Sequence, residues 1–263
     1  VEINILISDD CSTDNTMQII RNYSYLHKNI SILETQNKFG SASANFFNLI
    51  KNADINDYKY VAFSDQDDIW FEDKLLDGIS KLEELDADAF SSDVIALWPE
   101  KDKEIILKKS FVQKKYDYLF EGPGPGCSQI FTSRSFCKFK DFINENKKHL
   151  HIIDYHDWLI YSFYRNNNFK WIISNVPKMF YVQHEKNQIG ANSGLFAKIY
   201  RIKNIKNNWY SNQVLNNFRL IFNKDFNKFI YKERLKLRPL SLRRKTSHSV
   251  FVWFLLVLGI FKR

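Results

Sequence analysis

A chain of 263 residues, 44% apolar and 26% charged, has the material for one large α/β domain and is not compositionally disordered. Its three cysteines, Cys11, Cys127 and Cys137, are scattered without metal-ligand spacing, which argues against a disulfide framework and fits a reducing compartment. The net charge of +8 is unevenly divided, since residues 195–263 carry 16 Lys and Arg against two acids, a balance of +14, and residues 1–194 are left at −6.

Val1 to Ser8 is strand-like and ends in Asp9-Asp10-Cys11-Ser12-Thr13-Asp14-Asn15-Thr16, a run of cap residues from which a helix should start near Thr16. The chain lacks an initial Met and opens inside this pattern, so a preceding segment is expected. Asn29 to Leu33 reads as a strand, Asn37 to Gly40 as a turn, and Ser41 to Asn52 as a helix with Phe46, Phe47, Leu49 and Ile50 inward. The apolar run Tyr60 to Phe63 is a buried strand, and a helix over about 73–85 follows it. Strands alternating with helices in this way predict βαβ units and a doubly wound, mainly parallel sheet.

Between that strand and helix stands Asp65-Gln66-Asp67-Asp68-Ile69-Trp70. Open α/β folds bind ligands at the carboxyl edge of the sheet, where these acids fall. Carboxylates this close repel one another and need a cation, protons or bulk water, and an oxygen-rich set suits Mg²⁺ or Mn²⁺ and hence a diphosphate. The alternative is a solvated acidic turn that caps the next helix.

Ala89 to Leu97 is a further strand, interrupted at Ser91-Ser92-Asp93, and residues 99–121 are Lys-rich and irregular. Gly122-Pro123-Gly124-Pro125-Gly126 is a rigid turn leading into a strand from Cys127 to Thr132. Helices are expected over Ser133–Asn146 and Asp154–Arg165, the second opening with His156-Asp157-Trp158. Two late strands, Lys170–Ser174 and Met179–Gln183, precede His184.

Taken in order, these clusters resemble the family 2 glycosyltransferases of the GT-A fold. Ser8-Asp9-Asp10-Cys11-Ser12-Thr13-Asp14 is similar to that family's Asp-Asp-Gly-Ser-Thr-Asp motif, with Cys11 where Gly is usual. Asp65-Gln66-Asp67-Asp68-Ile69-Trp70 with Lys74-Leu75 resembles the Asp-x-Asp segment of the branch that includes rhamnosyltransferases. Gly126-Cys127, Arg134, His156-Asp157-Trp158, Gln183-His184, Asn187 and Gly190 continue the branch pattern.

The resemblance implies an inverting, metal-dependent transfer of a sugar from a nucleotide-sugar donor, with rhamnose from dTDP-rhamnose the first choice. The acceptor would be a glycan or lipid-linked glycan, a cell-surface polysaccharide precursor. On it, Asp157 is the general base, Asp10, Asp65 and His184 contact the donor, and Asp67 holds the metal. His156, Trp158 and Gly126 fall on the acceptor side. It also implies a strand and a base-holding loop ahead of Val1. Other readings stay open for single residues: Asp10 and Asp14 are also helix-cap types, Asp157 is also a first-turn acid, and Trp158 is also a core residue. A sugar-1-phosphate nucleotidylyltransferase and a catalytically degenerate binding module are the rival functions.

From Leu195 the chain mixes Lys and Arg with large apolar residues, and it closes on the apolar run Val250 to Phe261. As a helix that run spans about 18 Å, short of the roughly 30 Å hydrocarbon core, which predicts an interfacial helix or a buried one. The chain thus divides into a catalytic domain, 1–194, and a basic helical tail, 195–263. Arg243, Arg244 and Lys245 are expected to face an anionic membrane; the apolar terminus disfavours nucleic acid as partner. The implied location is cytoplasmic, peripheral on the inner face of the plasma membrane.

Overall fold

Residues 1–35, 37–184, 207–235 and 238–261 are described by the structure, a computed structural model of the chain. Only Ile5–Ile7 of the first run forms a strand, β1, which pairs in parallel with β2, Ile30–Ile32, across helix α1, Thr16–Leu26. Asp14 Oδ1 accepts from Thr16 N at 3.0 Å and fixes the first turn of α1. Helix α2, Ala42–Asn52, is capped by Ser41 Oγ and buries Phe46, Phe47 and Ile50.

The central sheet has the order β3 (Tyr60–Ala62), β8 (Ile130–Thr132), β5 (Ala89–Ser92), β9 (Trp171–Ser174). Strand β3, helix α3 (Lys74–Glu84) and β5 make the expected crossover, but β8 lies between the two strands and runs antiparallel to both. Strand β9 pairs in parallel with the other side of β5. The mainly parallel sheet expected from the sequence is therefore corrected to a mixed one. Strands of three or four residues show a period but no direction, and a loop rather than a helical crossover delivers β8. The direction has a consequence for chemistry. An antiparallel β8 begins where β3 ends, and Phe63 N donates to Gln129 O at 3.3 Å across that edge.

At Asp93 the chain changes sheet. Val94–Trp98 (β6) joins a second sheet of order β4 (Ile69–Trp70), β10 (Met179–Val182), β6, β7 (Lys103–Leu107). The pivot is the buried Asp93 carboxylate, whose Oδ1 accepts from Lys109 N at 2.5 Å and Ser110 N at 2.8 Å. The stretch 99–121 is thus not irregular throughout, since it supplies the antiparallel partner of β6.

Helices α4 (Ser133–Glu145) and α5 (His156–Asn166) cover the central sheet with buried rings, among them Phe136, Phe139, Tyr161 and Tyr164. Helices α6 (Trp209–Phe222), α7 (Phe226–Lys232) and α8 (Thr246–Val257) extend the same core through Val214, Phe218, Phe226, Val252 and Leu256, joined by Phe261 from the turn after α8. The boundary expected at 194/195 lies outside the described residues. Arg243 and Arg244 do not face outward as expected. Arg243 Nη2 lies 3.2 Å from Glu121 Oε2, and Arg244, 4% exposed, donates from Nη2 to Gly122 O at 2.7 Å. The cause is the buried Asp117 with the partly buried Glu121, carboxylates that would be costly without cations beside them. Among the described residues no helix is long and apolar enough to cross a membrane.

Candidate active site

Three elements converge on the edge where β3 ends. The loop leaving β3 carries Asp65, Asp67 and Asp68, the turn before β8 carries Gly126 and Cys127, and the end of β10 carries His184. One ligand atom each of Asp65, Asp68 and Cys127 lies within 4.8 Å of the others. Asp68 Oδ1 accepts from Val182 N at 3.1 Å, while its Oδ2 is buried with no hydrogen-bond partner of ordinary geometry. Asp67 is turned away from this group, with Oδ2 2.8 Å from His184 Nε2.

Burial, with repulsion from Asp68 and Asp67, raises the Asp65 carboxyl to about 7. Burial raises Asp68 too, and it drives the Cys127 thiol well above its ordinary range, so the thiol is a neutral neighbour. Crowded carboxylates with an orphaned oxygen are a donor set for a hard divalent ion, which fits Mg²⁺ or Mn²⁺ better than a protonated thiol does. Asp65 and Asp68 are the acids that could hold one together, while Asp67, on the same loop, faces His184. Beneath them Lys74, 3% exposed, sets Nζ 3.4 Å from the centroid of the Trp70 ring and has no hydrogen-bond acceptor. Burial lowers it to about 8, against the opposing field of Asp68.

The N-terminal turn of α5 supplies the second group. Asp157 is half-buried, its Oδ1 accepts from Trp158 N at 2.8 Å, and burial raises its carboxyl to about 6. An acid poised there can exchange a proton near neutral pH. His156 is of another kind. Its ring stacks on Phe46 at 4.1 Å and meets Phe63 edge-on at 5.7 Å, Nε2 is buried without a partner, and burial lowers its pKa to about 3. It is a neutral packing group. Trp158 is 5% exposed and donates from Nε1 to Tyr118 O at 2.9 Å, so most of its indole belongs to the core. Gly126 is where β8 and α5 touch, and a Cβ there would stand 2.7 Å from His156 Nε2.

Asp10, at the end of β1, spends both oxygens on the turn before α2: Oδ1 accepts from Phe39 N and Oδ2 from Gly40 N at 2.8 Å. Cys11 adopts a left-handed backbone, φ 59°, a conformation in which glycine alone is unstrained. Asp9 closes the same loop by accepting from Ser12 N at 2.8 Å.

One open cleft is lined by Asp10, Asp65, Asp67, Gly126, Asp157 and His184, with His156 and Trp158 showing only an edge to it. Arg134 lies exposed at the opposite edge of the sheet, where Ser133 N donates to Lys59 O. Asn187 and Gly190 lie outside the described residues. Sequence reasoning gave no role to Lys74, Cys127 or Lys109 and gave Arg243 a membrane-facing one, yet all four stand at or behind this cleft. For Cys127 the missing signal was the direction of β8.

Acids at one strand edge, a poised carboxyl across a cleft and a β1–α1–β2 unit beside them make up the candidate active site. Residues 2–155, more than half of the chain, match the Glycosyl transferase family 2 model, and the chain belongs to that family. It is an enzyme, a glycosyltransferase, of a family that takes its sugar from a nucleotide donor. It is 40% identical over 268 residues to the dTDP-rhamnosyl transferase RfbG of Shigella flexneri, covering 99% of this chain and 92% of that one. Among solved structures, residues 1–349 of S. aureus TarS in complex with UDP-GlcNAc align at a TM-score of 0.49 and 14% identity, over 89% of this chain and 66% of that one. The mannosyltransferase PcManGT from Pyrobaculum calidifontis, in complex with GDP-Man and Mn²⁺, aligns at 0.48 and 14%, over 97% and 70%.

Proposed function

We propose that this enzyme transfers rhamnose from dTDP-rhamnose, with inversion, onto a cell-surface polysaccharide precursor, a glycan or lipid-linked glycan, and that its fold is of the GT-A type. The observation that carries the donor is the near full-length identity of 40% to a dTDP-rhamnosyl transferase. Asp10 orders the loop that receives the nucleoside, and Asp65 and His184 contact the donor. Asp65 and Asp68, with Asp67 of the same loop, would hold a divalent ion, Mg²⁺ or Mn²⁺, which when bound would supply charge stabilisation for the leaving nucleotide. Asp157 takes the proton of the acceptor hydroxyl as that oxygen attacks the anomeric carbon. Gly126, with His156 and the edge of Trp158, walls the acceptor side and keeps Asp157 oriented.

In the same reading the protein works peripherally on the cytoplasmic face of the plasma membrane. Support comes from α8, whose inner residues Val252, Leu255 and Leu256 are buried while Val250, Phe251, Phe254 and Val257 are exposed. A helix apolar on both faces calls for a second apolar environment. Thermal shift across dTDP-, UDP- and GDP-sugars with Mn²⁺ tests the donor. Binding to the folded state raises Tm by mass action, and dTDP-rhamnose should give the largest rise. A larger rise with a UDP- or GDP-sugar would overturn the donor assignment.

A further inference from the structure

The wall of the cleft beyond Asp157 is basic and is built from two distant parts of the sequence. Lys109 comes from the loop after β7, and its Cγ would touch a Cβ at Gly124 at 3.4 Å. Among the described residues its ammonium makes no hydrogen bond or ion pair. Behind it, Arg165, Arg243 and Arg244 share two carboxylates, Asp117 and Glu121. The group therefore holds a surplus of cations before Lys109 is counted. Arg244 is 4% exposed, and its Nε and Nη1 are buried with no hydrogen-bond acceptor. Lys109, Arg243, Arg244 and Asp157 all line the one cleft. Burial lowers the Lys109 ammonium's pKa, as do the fields of Arg244 and Arg243, while Glu121 and Asp157 oppose them.

Two unlike charge sets thus face one space. The acids at the end of β3 suit a cation, and this wall suits an anion. A doubly charged oxyanion is what guanidinium and ammonium groups bind best, by charge-assisted hydrogen bonds. We infer that Lys109, backed by Arg243 and Arg244, forms a subsite for a phosphate group of the acceptor, next to the carboxyl of Asp157. The identification of the phosphate as the acceptor's rests on the transfer reading above; the subsite itself does not. It also gives the tail residues 243–244 a place in the reaction cleft, and it makes a phosphate-linked saccharide the class of acceptor.

The test uses the full chain as wild type and two variants, Lys109→Met and Lys109→Arg, and reads ligand binding by thermal shift. Without metal, inorganic phosphate and farnesyl phosphate should raise the Tm of the wild type, and farnesol should not. Lys109→Met keeps the stem against Gly124 and removes an unpaired charge, so the variant should fold with an unchanged or higher Tm. Its apparent affinity for both phosphates should fall at least tenfold, Lys109→Arg should restore it, and affinity for dTDP with Mn²⁺ should stay within twofold of wild type. Retention of the phosphate response in Lys109→Met overturns the subsite. An equal loss of dTDP affinity assigns it to the donor and overturns the acceptor inference. Neither readout requires turnover, so either failure leaves the transfer reading standing.

Discussion

A Cβ placed on Gly126 would stand 2.7 Å from Nε2 of His156, so the start of β8 and the start of α5 are in direct contact. The contact joins the turn that carries Cys127, beside Asp65 and Asp68, to the turn that carries Asp157. It also explains the uncharged, buried imidazole, which is held between Phe46 and Phe63 with Ser43 Oγ accepting from its backbone N–H at 2.8 Å.

Gly126→Ala should therefore be costly although its backbone needs no glycine. The methyl group must displace a ring that is sandwiched between two others, and overpacking of this kind costs about 1–3 kcal/mol. Urea denaturation should show that loss. Transfer should fall more than donor binding does, because the shift is passed to Asp157. An unchanged midpoint would mean that the two turns are not locked together.

Cys11→Gly should act in the opposite direction. At φ 59° a non-glycine side chain is strained by about 1 kcal/mol, and glycine removes that strain. The variant should gain up to about 1 kcal/mol and keep its donor affinity. A destabilised variant would show that the exposed thiol makes a contact that outweighs the strain.

How much of this was legible in the sequence depended on the length of the signal. Helices with an apolar face were readable: those expected over Ser41–Asn52 and Ser133–Asn146 are α2 and α4, and Phe46 and Phe47 point inward. The acids after Tyr60–Ala62 and the pair His156-Asp157 were found and do meet at one cleft. Strand direction was not readable, because β8 has three residues and no helix leads to it. The roles of Cys127 and Lys109 depended on that direction and on the sheet change at Asp93. The tail misled for a further reason, since formal charge does not reveal that Arg243 and Arg244 neutralise acids placed more than a hundred residues earlier.

The outer face of α8 should govern membrane affinity, and Arg243 should not. Phe251→Ser with Phe254→Ser exchanges two half-exposed rings for polar groups without touching the buried Val252, Leu255 or Leu256. Sedimentation with anionic vesicles should fall markedly at unchanged Tm, and high salt should weaken the wild type through Lys245. Equal sedimentation of the variant and the wild type would remove α8 from membrane binding.

Because burial raises Asp157 to about 6 from an ordinary 3.8, its ionised form is disfavoured in the folded state. The sign follows: the folded protein binds this proton more tightly, so the group's contribution to stability is full below about 3.8 and is lost as pH rises through about 6. A base must be ionised, so the rate behaves in the reverse sense. The profile of kcat/KM should fall about tenfold per pH unit on the acid side of a midpoint near 6. A flat profile from pH 5 to about 7 would exclude this carboxyl as the base.

The most direct test is transfer by Asp157→Asn at saturating donor, set beside a donor-binding isotherm on the same preparation. Asparagine keeps the shape and the acceptor oxygen for Trp158 N but removes the basic carboxylate. Loss of a general base costs about 10²- to 10⁴-fold in rate. The account predicts that loss together with unchanged affinity for donor and Mn²⁺ and an unchanged or higher Tm. Transfer within a fewfold of wild type would contradict it and leave Asp157 an ordinary first-turn acid.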